Sequence, residues 1–175
     1  MSVRWRLFPE SLPPPPFAYD VASVFESVAG SIGTPANQLK SNAVLASVRP
    51  GLEARGFQVE KGGRGGNIQV PVLFGENGSP AKTFAVDAWH VDLGIVIEVE
   101  AGIAIDARKL YQDLFEAAAM PDARFACIAV MNEYRPPRKN NASLRDYDRA
   151  SRILETLFAS AKFSLSLDAI MLLGY

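Results

Sequence analysis

The chain has 175 residues, 49% of them hydrophobic and 21% charged, the profile of a globular domain large enough to build a core without a metal or disulfide staple. Its 18 basic and 19 acidic residues leave a net charge of −1, so no global field draws it onto nucleic acid or anionic lipid, although a local basic groove stays open. One cysteine, Cys127, and one histidine, His90, exclude disulfide frameworks, Cys/His zinc sites and multi-histidine metal centres. Polar chemistry in this chain therefore falls to carboxylates.

The N-terminus carries no apolar segment of signal-peptide type, and no stretch approaches the roughly 20 apolar residues that span a bilayer. The expectation is a cytoplasmic protein without membrane contact. Residues 1–16 end in Pro13-Pro14-Pro15-Pro16, a stiff polyproline segment, and read as a lead-in to a single domain over 17–175. Val21, Val24, Phe25 and Val28 recur at helical steps from Phe17 to about Ala29. A second helix runs from about Gln38 through Leu45 and Val48; Pro50 either kinks it or starts a new turn, and Leu52 continues the apolar face until Gly56.

The period then changes to two. Residues 57–60 and 68–72 alternate, Gly75 to Pro80 is a turn cluster, and Thr83–His90 and Gly94–Ala101 read as two further strands. Helical period returns from Ile105 to Met120. Phe125–Met131 is an unbroken apolar run, as expected of a strand covered on both faces. A basic, Pro-rich loop over 135–141, a helix from about Leu144 to Ser160 and a strand over 165–173 complete the order. The fold class is α/β with mixed α+β character, a central mixed β-sheet flanked by helices.

The informative stretch is Phe84 to Glu100. A hairpin centred between Asp92 and Leu93 sets Asp87 opposite Glu98 and Ala85 opposite Glu100. Side chains alternate, so Asp87, Glu98 and Glu100 share one face, while Phe84, Val86, Ala88, Ile95, Ile97 and Val99 share the other. A slip of one residue destroys this sorting. Two like charges about 5 Å apart at an effective dielectric near 20 cost roughly 3 kcal/mol, and no basic residue lies between Lys82 and Arg108 to relieve them. An exposed acidic edge and a protonated acid pair are the plain readings. A hard divalent cation, Mg²⁺ or Mn²⁺, held by these oxygens is the reading favoured here.

At these residues the chain resembles the PD-(D/E)xK nuclease superfamily, which includes many type II restriction endonucleases. The family signature is an acid on one strand and (D/E)-x-K on the next; here Asp87 is followed by Glu98-Val99-Glu100. Val86 stands where the motif has proline and Glu100 where it has lysine, a Glu-x-Glu variant. The resemblance spans roughly Asn42 to Met131 and implies a restriction endonuclease-like fold. It further implies that Asp87, Glu98 and the backbone carbonyl of Val99 ligate the metal, and that Asp87, Glu98 and Glu100 are catalytic. Asn42, Lys109 and Gln112 are its supporting candidates, Lys109 as a stand-in for the motif lysine.

The basic loops supply candidate DNA contacts, Lys61 and Arg64 in the first and Arg135, Arg138 and Lys139 in the second. Trp89 lies on the carboxylate face by parity, His90 reads as an edge residue and Cys127 as structural. Together these observations lead to the expectation of a Mg²⁺-dependent DNA endonuclease of restriction type, acting as a homodimer on both strands of a symmetric site. The competing reading is a catalytically inactive nuclease-fold module that binds nucleic acid or protein. A carboxylate-pair glycosidase is a third, less favoured because opposed strand positions suit a metal better.

Overall fold

The apolar run at 125–131 decides the architecture, because a strand buried on both faces needs neighbours on both edges and helices on both sides. In the computed structural model, which describes residues 3–62, 66–102, 106–136, 143–160 and 164–175, this strand is β7 (Phe125–Val130), buried along nearly its whole length. It pairs in parallel with β6 (Ile95–Glu100) on one edge and β8 (Ala169–Gly174) on the other. Antiparallel β1 (Arg4–Phe8) closes the β8 side, and β5 (Ala88–His90) with β2 (Gln58–Val59) closes the β6 side. The result is a six-stranded mixed sheet of order β1-β8-β7-β6-β5-β2.

Helices α1 (Pro16–Ser27) and α3 (Ser41–Glu53), with the short α2 (Ala29–Ile32) between them, cover one face. Their Val21, Phe25, Val48 and Leu52 pack on Ala88, Ile95, Ile97, Val99 and Cys127. Pro50 sits inside α3 without ending it. Helices α4 (Arg108–Ala119) and α5 (Asp146–Ala159) cover the other face, where Leu110, Leu114 and Leu154 meet Val96, Ile128 and Leu172. A separate two-stranded hairpin, β3 (Ile68–Phe74) and β4 (Pro80–Val86), adds Val70 and Val86 to this second core. The sheet flanked by helices matches the expected class.

Two expectations are corrected. Thr83–His90 is not one strand: β4 pairs with β3, Ala85 opposite Gln69, and the chain bends at Asp87 before joining the main sheet as β5. Ala85 therefore does not face Glu100. The bend also moves Val86 to the α4/α5 core while Ala88 stays under α1 and α3. The N-terminal segment, expected as a lead-in, contributes the edge strand β1, whose Leu7 and Phe8 are buried. The expected helix start at Ile105 lies outside the described residues. Among the described residues, no helix is long and apolar enough to cross a membrane.

Candidate active site

The turn between β5 and β6 sets the register of the carboxylates. His90 pairs with Ile95, Trp89 with Val96 and Ala88 with Ile97, the register that the acidic and apolar sorting requires. Gly94, at φ 64°, makes this turn, and a Cβ there would collide with the backbone carbonyl of Asp122. Beyond Ala88 the ladder stops and a side chain takes over: the Val99 amide donates to Asp87 Oδ2 at 2.7 Å. Backbone N–H and C=O of one strand residue point to the same edge, so the Val99 carbonyl lies on the edge of β6 that faces Asp87. The backbone carbonyl of Asp87 accepts the Glu60 amide at 2.8 Å, which ties the bend to the end of β2.

Glu98 and Glu100 follow Val96 on the face beneath α4. That face is covered, not open, and Glu98 is only 8% exposed. From α4, Lys109 reaches back to Glu100 Oε1 at 3.3 Å and to Asp113 Oδ1 at 3.4 Å. Asp113 is buried and its Oδ2 has no hydrogen-bond partner among the described residues. The backbone of Glu100 is held from below, its carbonyl accepting the Tyr175 hydroxyl at 3.1 Å. Alongside lies a cleft of about 420 Å³ lined by Glu100, Ala101, Gly102, Asp106, Arg108, Lys109 and Gln112.

Two carboxylates thus pair with one ammonium while Asp87 and Glu98 only feel its charge at longer range, and their protonation reflects it. Burial, and then the charges of Asp87 and Asp113, push Glu98 up to about 10. Burial raises Asp87 to about 6 against the opposing Val99 amide, and burial with the Glu100 charge raises Asp113 to about 7. Burial also raises Glu100, with Lys109 countering it. Lys109 itself is disfavoured by burial, but Asp113 and Glu100 more than offset this and raise it. The cluster lacks positive charge.

Hard oxygen donors short of positive charge suit a divalent cation. Among the described residues, no group of three or more His, Cys, Asp and Glu side chains is arranged to hold a metal. Mg²⁺ commonly takes only one or two protein carboxylates and completes its shell with water.

The other candidates are dispersed. Asn42 is exposed on α3, across the sheet from α4. Gln112 is exposed at the cleft wall, where it donates to Glu116. Lys61 is exposed directly after Glu60, and its amide donates to the Gly66 carbonyl. Arg135 is exposed and its amide donates to Gln38. Arg64, Arg138 and Lys139 lie outside the described residues. Trp89 is buried in the α4/α5 core, His90 stands edge-on to Phe57 at the turn, and Cys127 is buried. Sequence reasoning missed Asp113, whose signal was its place four residues after Lys109 on the inward side of α4.

No protein-family model matches the chain, and no curated protein sequence is similar to it. Among solved structures, it is similar to restriction endonuclease BGLII complexed with a DNA 16-mer, at a TM-score of 0.56 and 15% sequence identity. The match covers 99% of this chain and 78% of the other. The chain therefore has a restriction endonuclease-like fold.

Proposed function

We propose that this protein is a Mg²⁺-dependent DNA endonuclease that hydrolyses phosphodiester bonds. The observation that carries the reading is the convergence of Asp87, Glu98, Val99 and Glu100 at the β5–β6 pair of a restriction endonuclease-like sheet, with Lys109 directed at Glu100. Asp87, Glu98 and the Val99 carbonyl would hold Mg²⁺ or Mn²⁺. When bound, such an ion activates water and stabilises charge developing on the phosphate. Glu100 orients the attacking water through an acceptor oxygen, and Lys109 positions Glu100 while lending positive charge beside the scissile phosphate. Asp113 anchors Lys109 from within the protein.

The DNA-complexed neighbour supports DNA as the substrate, and a homodimer would present two such sites to the two strands. Glu100 in place of the motif lysine favours a second reading, a nuclease fold that binds without cutting. Metal-dependent nicking or linearisation of supercoiled plasmid, abolished in Glu98→Gln, separates the two. Binding without cleavage by a folded protein supports the second.

A further inference from the structure

On the same side of the sheet, α4 and α5 form a second cleft, of about 570 Å³. It is lined among other residues by Tyr111 from α4, by Arg145 immediately before α5 and by Arg149 and Arg152 of α5. The arginines fall at steps of four and three residues, so helical geometry stacks them along one exposed side. Like charges at that spacing repel, and the cleft contains one acid, Asp148. Asp148 is already engaged by Arg4 at 2.8 Å and by Arg145 at 3.6 Å. Arg149 has a partner of its own, and its charge also reaches Asp106. The cleft is a concentration of positive charge on a chain whose net charge is −1, and its positive charge is complementary to a polyanion.

Its position gives it a purpose. Arg108, Lys109 and Gln112 of α4 line the carboxylate cleft, while Tyr111 on the same turn lines the arginine cleft. The Gly102 amide, from the carboxylate side, donates to Asp146 at the start of α5 at 2.8 Å, which ties the start of α5 to the rim of the carboxylate cleft. Tyr111 is about half exposed, and its ring offers a face to a sugar or base. Guanidinium groups in a row suit phosphate oxygens.

We infer that the α4–α5 cleft is a phosphodiester-binding track, in which Arg145, Arg149 and Arg152 hold the DNA backbone flanking the bond presented to Asp87 and Glu98. This rests on the endonuclease reading for its ligand, and it moves the backbone contacts from the two basic loops to the helix pair.

The test is fluorescence anisotropy of a labelled mixed-sequence DNA duplex with the full chain, without metal, across a salt series. The proteins compared are wild type, the double variant Arg149→Gln/Arg152→Gln and Asp87→Ala. Each phosphate contact contributes about 0.9 to the slope of log affinity against log salt. The double variant is expected to lower that slope by about 2 and to weaken binding about tenfold or more near 0.1 M salt, with an unchanged thermal midpoint. Arg152→Lys is expected to keep most of the affinity, which a purely structural role of Arg149 and Arg152 would not require.

Equal affinity and slope for wild type and double variant would overturn the proposal, even if plasmid cleavage succeeds. So would an altered oligomeric state in sedimentation with unaltered DNA binding, which would make the cleft a protein interface. Arginine-dependent binding with no cleavage under any metal would uphold the track and remove the endonuclease reading.

Discussion

Asp87 and Val99 are joined by a side-chain hydrogen bond where the β5–β6 ladder has ended: the Val99 amide donates to the Asp87 carboxylate at 2.7 Å. The bond continues the strand register through a bend, and it commits one carboxylate oxygen to the backbone. It also places Asp87 on the edge that the Val99 carbonyl shares. A substitution that keeps size but removes charge separates these roles. Asp87→Asn is expected to retain the fold and to lose DNA cleavage by 100-fold or more, on the order of 3 kcal/mol of transition-state stabilisation. Plasmid cleavage beside circular dichroism checks it. Full activity in Asp87→Asn contradicts a metal-ligand role.

The buried acids set the pH dependence of stability. Unfolded carboxylates titrate near 4, whereas Asp87, Asp113 and Glu98 in the folded protein titrate at about 6, 7 and 10. Above pH 4 the folded state therefore holds more protons than the unfolded one, and stability falls as pH rises. Asp106, lowered to about 2 by Arg108, acts in the opposite sense but only below its ordinary range. Urea unfolding without metal is expected to show lower stability at pH 8 than at pH 5.5, with a shallower slope in Glu98→Gln. A rise in stability over this window would contradict the charge deficit.

The same deficit makes divalent cations stabilising. Mg²⁺ or Mn²⁺ is expected to raise the thermal midpoint more at pH 8 than at pH 5.5, because the ligands must be ionised. Glu98→Gln should abolish the increment. Calcium is a useful control for oxygen ligation without turnover. A midpoint indifferent to all three ions would argue against a metal site.

Lys109 is half exposed, and solvent screens its ion pairs with Glu100 and Asp113. Lys109→Met should cost about 1 kcal/mol at pH 8, mostly because Glu100 and Asp113 lose their shared cation, and less at pH 5.5. Cleavage should fall by roughly tenfold to 1,000-fold. Addition of Asp113→Asn should restore stability at pH 8 but not activity. Restored activity would show that Lys109 does no more than neutralise Asp113.

Gly94 carries the turn that aligns β5 with β6. At φ 64° and against the Asp122 carbonyl, Gly94→Ala should destabilise by about 2 kcal/mol or more in chemical denaturation. An unchanged midpoint would contradict the tight turn.

What could be read from the residues alone follows from which signals are local. The register of β5 on β6, with Ala88 opposite Ile97 and His90 opposite Ile95, was legible because one alignment sorts the acids of this stretch from most of its apolar residues. The break at Asp87 was not, since the alternation runs through it and no glycine or proline marks it. Strand β1 was hidden by Arg4 and Arg6, whose partners Asp148 and Ser151 lie on α5, more than 140 residues away. Asp113 read as one polar residue of an amphipathic helix until α4 packed against β6. The arginine cleft depends in the same way on α4 lying beside α5, because charges at helical spacing ordinarily mark a solvated face.

The proposal that Asp87 and Glu98 form a metal-dependent nuclease centre is decided by incubating supercoiled and linear duplex DNA with wild-type and Asp87→Ala protein, in Mg²⁺ or Mn²⁺ and in EDTA. Nicked or linear product is expected with the wild type and metal only, in a fragment pattern that reports the recognised sequence. Intact DNA under every condition, or equal cleavage by Asp87→Ala, would contradict it.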